Sequence, residues 1–111
     1  MAGRRGKDER HVSFVRLERR MLFSCPEWRR LSGRAKIFYI YLKAKYNTVN
    51  NGNLQLHFSE LQDLPDLRSR KAFYGAVHEL EASGWVERTS SGGLFRNPNT
   101  YRLTFRHDKL E

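Results

Sequence analysis

Four histidines, His11, His57, His78 and His107, and one cysteine, Cys25, are the side chains of this 111-residue chain best suited to metal or nucleophilic chemistry. The histidines are scattered without metal-ligand spacing, and neither a glycine-rich phosphate cradle nor a nucleophile elbow occurs. Cys25 sits just inside a predicted helix N-terminus, where a thiol can acidify, although an inert, partly buried thiol is the plainer reading. A lone cysteine forms no intrachain disulfide and no cysteine-based zinc cage, which fits a reducing compartment. Neither catalysis nor a bound metal or cofactor is therefore expected. What the chain carries in quantity is cationic hydrogen-bonding chemistry: 21 lysines and arginines stand against 12 aspartates and glutamates, a net charge of +9. Such a balance favours a polyanionic partner, nucleic acid first. Apolar residues make up 39% and aromatics 13%, enough for one small core and one domain. The longest apolar run, Ile37 to Leu42, is far short of the ~20 residues that cross a bilayer, and the first ten residues lack the apolar core of a secretory signal. A cytoplasmic protein that does not engage membranes is expected.

The elements that must position this chemistry can be read from caps and periodicity. Met1 to His11 holds Arg4, Arg5, Lys7 and Arg10 and, after Met1, no large aliphatic residue, a composition expected to leave a mobile basic arm. The domain is predicted over residues 12–106, with a tail at 107–111. Phe14 to Leu17 either pairs as a short strand or lies across the core. Ser24-Cys-Pro-Glu27 has the spacing of a capping box with proline just inside, which predicts a short helix over Cys25 to Leu31. Ser32 offers the next cap, and Ile37, Ile40, Tyr41 and Ala44 follow at helical spacing, so a helix is predicted over Gly33 to Tyr46 with those residues as its main stripe. Phe38, Tyr39 and Leu42 lie off that stripe, as further core or as a dimer contact. Asn47 to Asn53 is a turn cluster. Leu54 to His57 alternates as a strand, and Ser59 with Gln62 begins a short helix that Pro65 stops. Asp66 to Ser69 is a tight connection. The next helix is predicted over 69–83, with Gly84 as its stop and Phe73, Ala76, Val77 and Leu80 as its buried stripe. Strands over Trp85 to Thr89 and Tyr101 to Phe105 close the chain as a hairpin whose connection, 90–100, projects as a flap. The fold class is mainly α with a small antiparallel β-sheet, an α+β arrangement.

Asn51-Gly-Asn-Leu-Gln-Leu with Ser59-Glu-Leu, followed by Ser69-Arg-Lys-Ala-Phe-Tyr-Gly-Ala-Val-His-Glu-Leu-Glu-Ala-Ser-Gly-Trp-Val86, resembles the winged helix-turn-helix regions of bacterial, phage and plasmid proteins. Ser24 to Ser32 looks like the start of the same domains in mobile-element replication and regulatory proteins. The resemblance runs from about Phe14 to Phe105. It departs from the pattern at Gly75, where such helices often carry a polar or basic residue. A mid-helix glycine weakens a helix by ~1 kcal/mol relative to alanine, so either something approaches the backbone closely there or the helix is merely weakened. It departs also in charge, with three basic residues and five acids from Phe58 to Gly84, whereas Met1 to Lys36 carries eleven basic residues and four acids.

The resemblance implies a sequence-specific double-stranded DNA-binding protein, a transcription regulator or a replication or recombination factor of a bacterial mobile element. The second helix of the pair would enter the major groove. With the stripe above facing inward, Arg70, Lys71, Tyr74 and His78 point outward with Gly75 between them, and Arg68 and the Ser69 cap lie just ahead. Arg70 can fork onto guanine, Lys71 can make one charged contact, and Tyr74 can bond a phosphate or pack on a thymine methyl. Arg88, Arg96, Asn97 and Asn99 would reach a minor groove or phosphate from the wing. Arg34, Lys36 and the arm would add phosphate contacts, while Glu79 and Glu81 should point away. One reading helix per chain leads to an expected homodimer or tandem binding, with the aromatic surplus of the long helix as the leading dimer surface. The alternative is a winged-helix adaptor that binds protein rather than DNA; RNA binding is weaker, since no strand platform of aromatics is present.

Overall fold

The computed structural model describes residues 13–90 and 99–110. The expected basic arm and most of the flap therefore lie outside the described residues. Residues 13–18 form neither helix nor strand, so of the two readings for Phe14 to Leu17 the strand does not form: Leu17 packs on the core while Phe14 is 77% exposed. A helix absent from the expectations follows, α1 (Arg19–Ser24), and then α2 (Pro26–Arg29). Ser24 closes α1, so it cannot take the extended conformation of an N-cap. Cys25 takes that place, with no side-chain cap, and the capping box with Glu27 is not made. Instead the Cys25 thiol donates to the Glu27 carboxylate at 3.4 Å. Pro26 occupies the first turn as its missing N–H allows.

Ser32 caps α3 (Gly33–Lys43), its hydroxyl accepting from the Ala35 amide at 3.3 Å. The helix stops three residues earlier than its apolar pattern suggests, because the amides of Lys45 and Tyr46 bond back to Leu42 and Lys43, a tighter winding. Its stripe is also the other one. Ala35, Phe38, Tyr39 and Leu42 are the buried face; Ile37 and Ile40 pack at the margin, Ala44 is exposed and Tyr41 is 42% exposed. Both stripes are apolar, and the face with the larger rings wins because it can be enclosed: Tyr39 meets Trp28 and Trp85 edge-on at 5.9 and 5.2 Å, and Phe38 meets Phe73 at 5.1 Å. Phe38, Tyr39 and Leu42 are consequently unavailable as a dimer surface.

In the asparagine-rich turn, Asn51 clamps Leu103 with its amide, donating to the carbonyl at 2.9 Å and accepting from the N–H at 2.8 Å. Leu54 then exchanges backbone bonds with Tyr101 at 3.1 and 2.9 Å. Leu54 and Leu56 are buried and Gln55 and His57 exposed, the expected alternation, but only this isolated bridge forms in place of a strand. Next comes α4 (Phe58–Leu61), capped by His57 rather than Ser59: the Glu60 carboxylate accepts from the His57 N–H at 2.8 Å. Pro65 does not end this helix; it opens a one-turn 3-10 segment, Pro65–Leu67, where its fixed φ is suited to the first turn.

The helix expected over 69–83 is α5 (Arg70–Ala82). Ser69 caps it by accepting from the Ala72 amide at 3.1 Å, and the buried residues are Phe73, Ala76, Val77 and Leu80. Gly84, with φ +82°, turns the chain out of the helix. Strands β1 (Val86–Ser90) and β2 (Thr100–Leu103) pair antiparallel, Val86 with Leu103, and the register shifts between Arg88 and Ser90. The first strand starts one residue later than expected and the second ends earlier, since Phe105 leaves at φ +54° to pack on Tyr46. The last described residues are no tail. Asp108 is fully buried, bonded by the Tyr39 hydroxyl and, at 2.6 Å, by the Lys43 ammonium, whose other partner is the Arg16 carbonyl at 2.7 Å.

Among the described residues the architecture is α+β, with five α-helices, one 3-10 turn and a two-stranded antiparallel sheet around a common apolar core. None of these helices is long and apolar enough to cross a membrane.

Candidate nucleic-acid interface

With its apolar stripe held against α3, α5 must turn its opposite side outward. Arg68, Ser69, Arg70, Lys71, Tyr74 and His78 are all exposed there, as their spacing implies. Two of them are steadied by the core beneath. The Arg70 guanidinium lies 4.7 Å over the Phe58 ring, a cation-π contact that aims the side chain at little entropic expense. The Tyr74 ring rests edge-on against Phe73 at 5.0 Å, leaving its outer part in solvent.

Carboxylates decide whether such a face can approach a polyanion. Glu79 reaches across to α3, accepting from the Ser32 N–H at 2.7 Å and the Ser32 hydroxyl at 2.6 Å. It thus places a negative charge at the N-terminus of α3, where the helix dipole favours it. Glu81 accepts from Arg88 at 3.0 Å and lies 3.6 Å from His78 Nδ1. Glu60, at 2.5 Å from Lys45, is the third acid tied into the fold, which leaves Asp63 and Asp66 exposed beside the connection into α5. The acidic count of this segment therefore overstates what α5 itself presents.

Glu60 also has a defined pH response. The His57 backbone N–H first, and the Lys45 ammonium second, hold its carboxyl below the usual glutamate range. A group depressed on folding stabilises the fold fully above its unfolded pKa, about 4.3, and loses that contribution as pH falls through the folded value. Glu60→Gln is accordingly expected to lower the thermal midpoint at pH 7, with the gap from the parent closing under strongly acid conditions. Parallel melts across that pH range check it.

The other expected site residues separate. Arg34 is brought onto the α5 face, for its guanidinium lies against Gly75. Lys36 is half-buried on α3. Arg88, expected as a wing contact, is half-buried and bound by Glu81; an arginine of this kind positions strand β1 against α5 and is not a free cation. Asn99 donates its amide to the Tyr101 hydroxyl at 3.2 Å, at the root of the flap. Arg96 and Asn97 lie outside the described residues. His57 is a helix cap and His107 packs at a tilt against Trp85, ring centroids 5.0 Å apart, and the described residues contain no cluster of metal-ligating side chains. Two side-chain placements around this face escape sequence reasoning: the Glu79 clamp, which spans 47 residues, and Arg106, whose guanidinium lies against Gly84.

No family model matches the chain, and no solved structure matches it significantly. Among curated proteins, a segment of 41 residues is 39% identical to Protein SSXA1 of Mus musculus, covering 37% of this chain and 41% of that protein. The chain thus spans about two fifths of the curated relative it matches.

Proposed function

We propose that this chain is a sequence-specific double-stranded DNA-binding protein built as a winged helix-turn-helix, acting as a transcription regulator or as a replication or recombination factor of a bacterial mobile element. The reading assigns α4, the 3-10 connection and α5 to the helix-turn-helix, and the β1–β2 hairpin to the wing. One observation carries it: α5 turns out a contiguous exposed row of Arg70, Lys71, Tyr74 and His78, while both of its own glutamates are consumed by partners inside the protein. A helix of that description fits the width of the major groove, and its first turns are the part that meets base edges. Arg70 reads guanine by a two-point fork, Lys71 supplies a charged contact, and Ser69 and Arg68 lie where a phosphate passes the helix N-terminus. One such helix contacts one half-site, so two copies on neighbouring half-sites, about 34 Å apart along the duplex, complete the specificity.

Arg70→Ala with Tyr74→Ala tests the assignment. Neither side chain is in the core, so the fold survives. On a duplex enriched by the parent from a random pool, the preference over random duplex is expected to fall by at least about tenfold, as loss of one bidentate contact would give. Equal affinity for enriched and random duplex, before and after substitution, rejects base reading. Elution with a protein partner and indifference to duplex at low salt would favour the adaptor.

A further inference from the structure

Gly75 lies in the middle of α5, on the side turned away from the core. A Cβ at this position would sit 2.7 Å from a terminal nitrogen of Arg34 and 2.9 Å from its central guanidinium carbon, separations at which one of them must move. The guanidinium of Arg34 therefore fills the space that a side chain at position 75 would occupy. Arg34 is the second residue of α3, and α3 is anchored to α5 next to this point by two hydrogen bonds, from the Ser32 N–H and hydroxyl to the Glu79 carboxylate, at 2.7 and 2.6 Å. Residues 71, 75 and 78 follow one another at i, i+4 and i+7, a single row along the helix. The row consequently displays Lys71, then the Arg34 guanidinium, then His78. Among the described residues no ion pair or hydrogen bond occupies that guanidinium.

We infer that Arg34 is a base-contacting residue of the reading face, delivered from α3 through the notch at Gly75. The inference rests on the duplex-binding reading above and adds to it a reader that does not belong to the reading helix. Its chemistry is that of a planar fork of N–H donors held by packing, with its bonding capacity unspent, which matches the O6 and N7 acceptors of a guanine in the major groove. It borders Lys71 and His78 at the α3 edge of the outward row and is half-buried there, and from that place a base contact differs from a phosphate contact in that its loss is confined to one base pair. The glycine also acquires a reason. It gives up helix propensity relative to alanine, and the vacated volume is what seats the arginine.

The test uses the full chain and the duplex it enriches from a random-sequence pool. Arg34→Ala, Arg34→Lys and Gly75→Ala are measured against single-base-pair variants of that duplex, against random duplex, and for thermal stability. Arg34→Ala and Gly75→Ala are each expected to lose about tenfold in preference at one and the same base pair, and Arg34→Lys to lose it too, since an ammonium cannot fork. Gly75→Ala should do so while its melting temperature rises by about 4–8 °C, as a better helix former in a domain of this size would give. A binding loss in a more stable protein is not an unfolding effect. Uniform weakening across all duplexes in Arg34→Ala, the signature of a phosphate contact, overturns the inference, and so does unchanged preference. If Arg70→Ala with Tyr74→Ala abolishes preference while both Arg34 variants and Gly75→Ala keep it, this inference alone fails. If the parent shows no preference for any duplex, the DNA reading fails and carries the inference with it.

Discussion

Replacing Asp108 with alanine is expected to destabilise the protein by about 3–5 kcal/mol, the usual consequence of leaving one member of a buried ion pair without its partner. Asp108 is fully buried and the Lys43 side chain is only 4% exposed. The ammonium would keep the Arg16 carbonyl at 2.7 Å, but a carbonyl dipole does not neutralise a buried charge. The carboxylate also accepts from the Tyr39 hydroxyl and, at 3.1 Å, from the Leu110 amide, so its removal strips two further donors of an acceptor. Burial first, and the bond to Asp108 second, push the Tyr39 hydroxyl well above the ordinary tyrosine pKa, so it remains a neutral donor throughout the working range. Against a total stability of about 5–15 kcal/mol for a domain, the loss is a large fraction of what holds the fold. Urea unfolding of the full chain measures it. The double variant Lys43→Met with Asp108→Leu, which removes both charges and fills the space, is expected to recover most of the loss. A single-variant effect under about 1 kcal/mol would mean that the pair is solvated and that residues 107–110 do not belong to the domain.

Affinity for duplex DNA is expected to fall about 500-fold when monovalent salt rises from about 50 to 200 mM, if roughly five phosphates are neutralised and the logarithmic slope is near −4.5. The charge needed is present: eleven basic residues and four acids lie between Met1 and Lys36, and Arg68, Arg70 and Lys71 stand at the head of α5. Each phosphate contact releases condensed counterions, and that entropy is what added salt removes. Substitution of Arg68 by alanine should flatten the slope by about one and weaken all duplexes alike, since a phosphate contact carries no sequence information. Fluorescence anisotropy titrations at several salt concentrations read both quantities. A flat dependence contradicts a phosphate-dominated interface.

The legible parts of the chain are those where local chemistry and global packing agree. At α5 a serine cap, a single apolar stripe and a terminal glycine all point to one answer, and cap, stripe and outward residues emerge as expected. At α3 the helix is apolar around most of its girth, and periodicity cannot say which of two greasy faces meets Phe73 and Trp85. Ser24 has the correct spacing for a cap, but the helical turn of Arg19–Ser24 ahead of it draws it into the wrong conformation. Charge pairing over long separations is the least visible: nothing near Asp108 announces a lysine 65 positions upstream, and Arg88 reads as a free cation until Glu81 is found beside it. Gly75 is an intermediate case. Its oddness is plain in the sequence, and its explanation, Arg34, exists only in three dimensions.

Whether the outward row of α5 reads base pairs is tested most directly by selection of duplexes from a random-sequence pool with the full chain, the Arg70→Ala, Tyr74→Ala variant run in parallel. The parent should enrich a defined motif and the variant should lose it at the contacted positions. Recovery of the same unenriched pool by both proteins would contradict base reading by this helix.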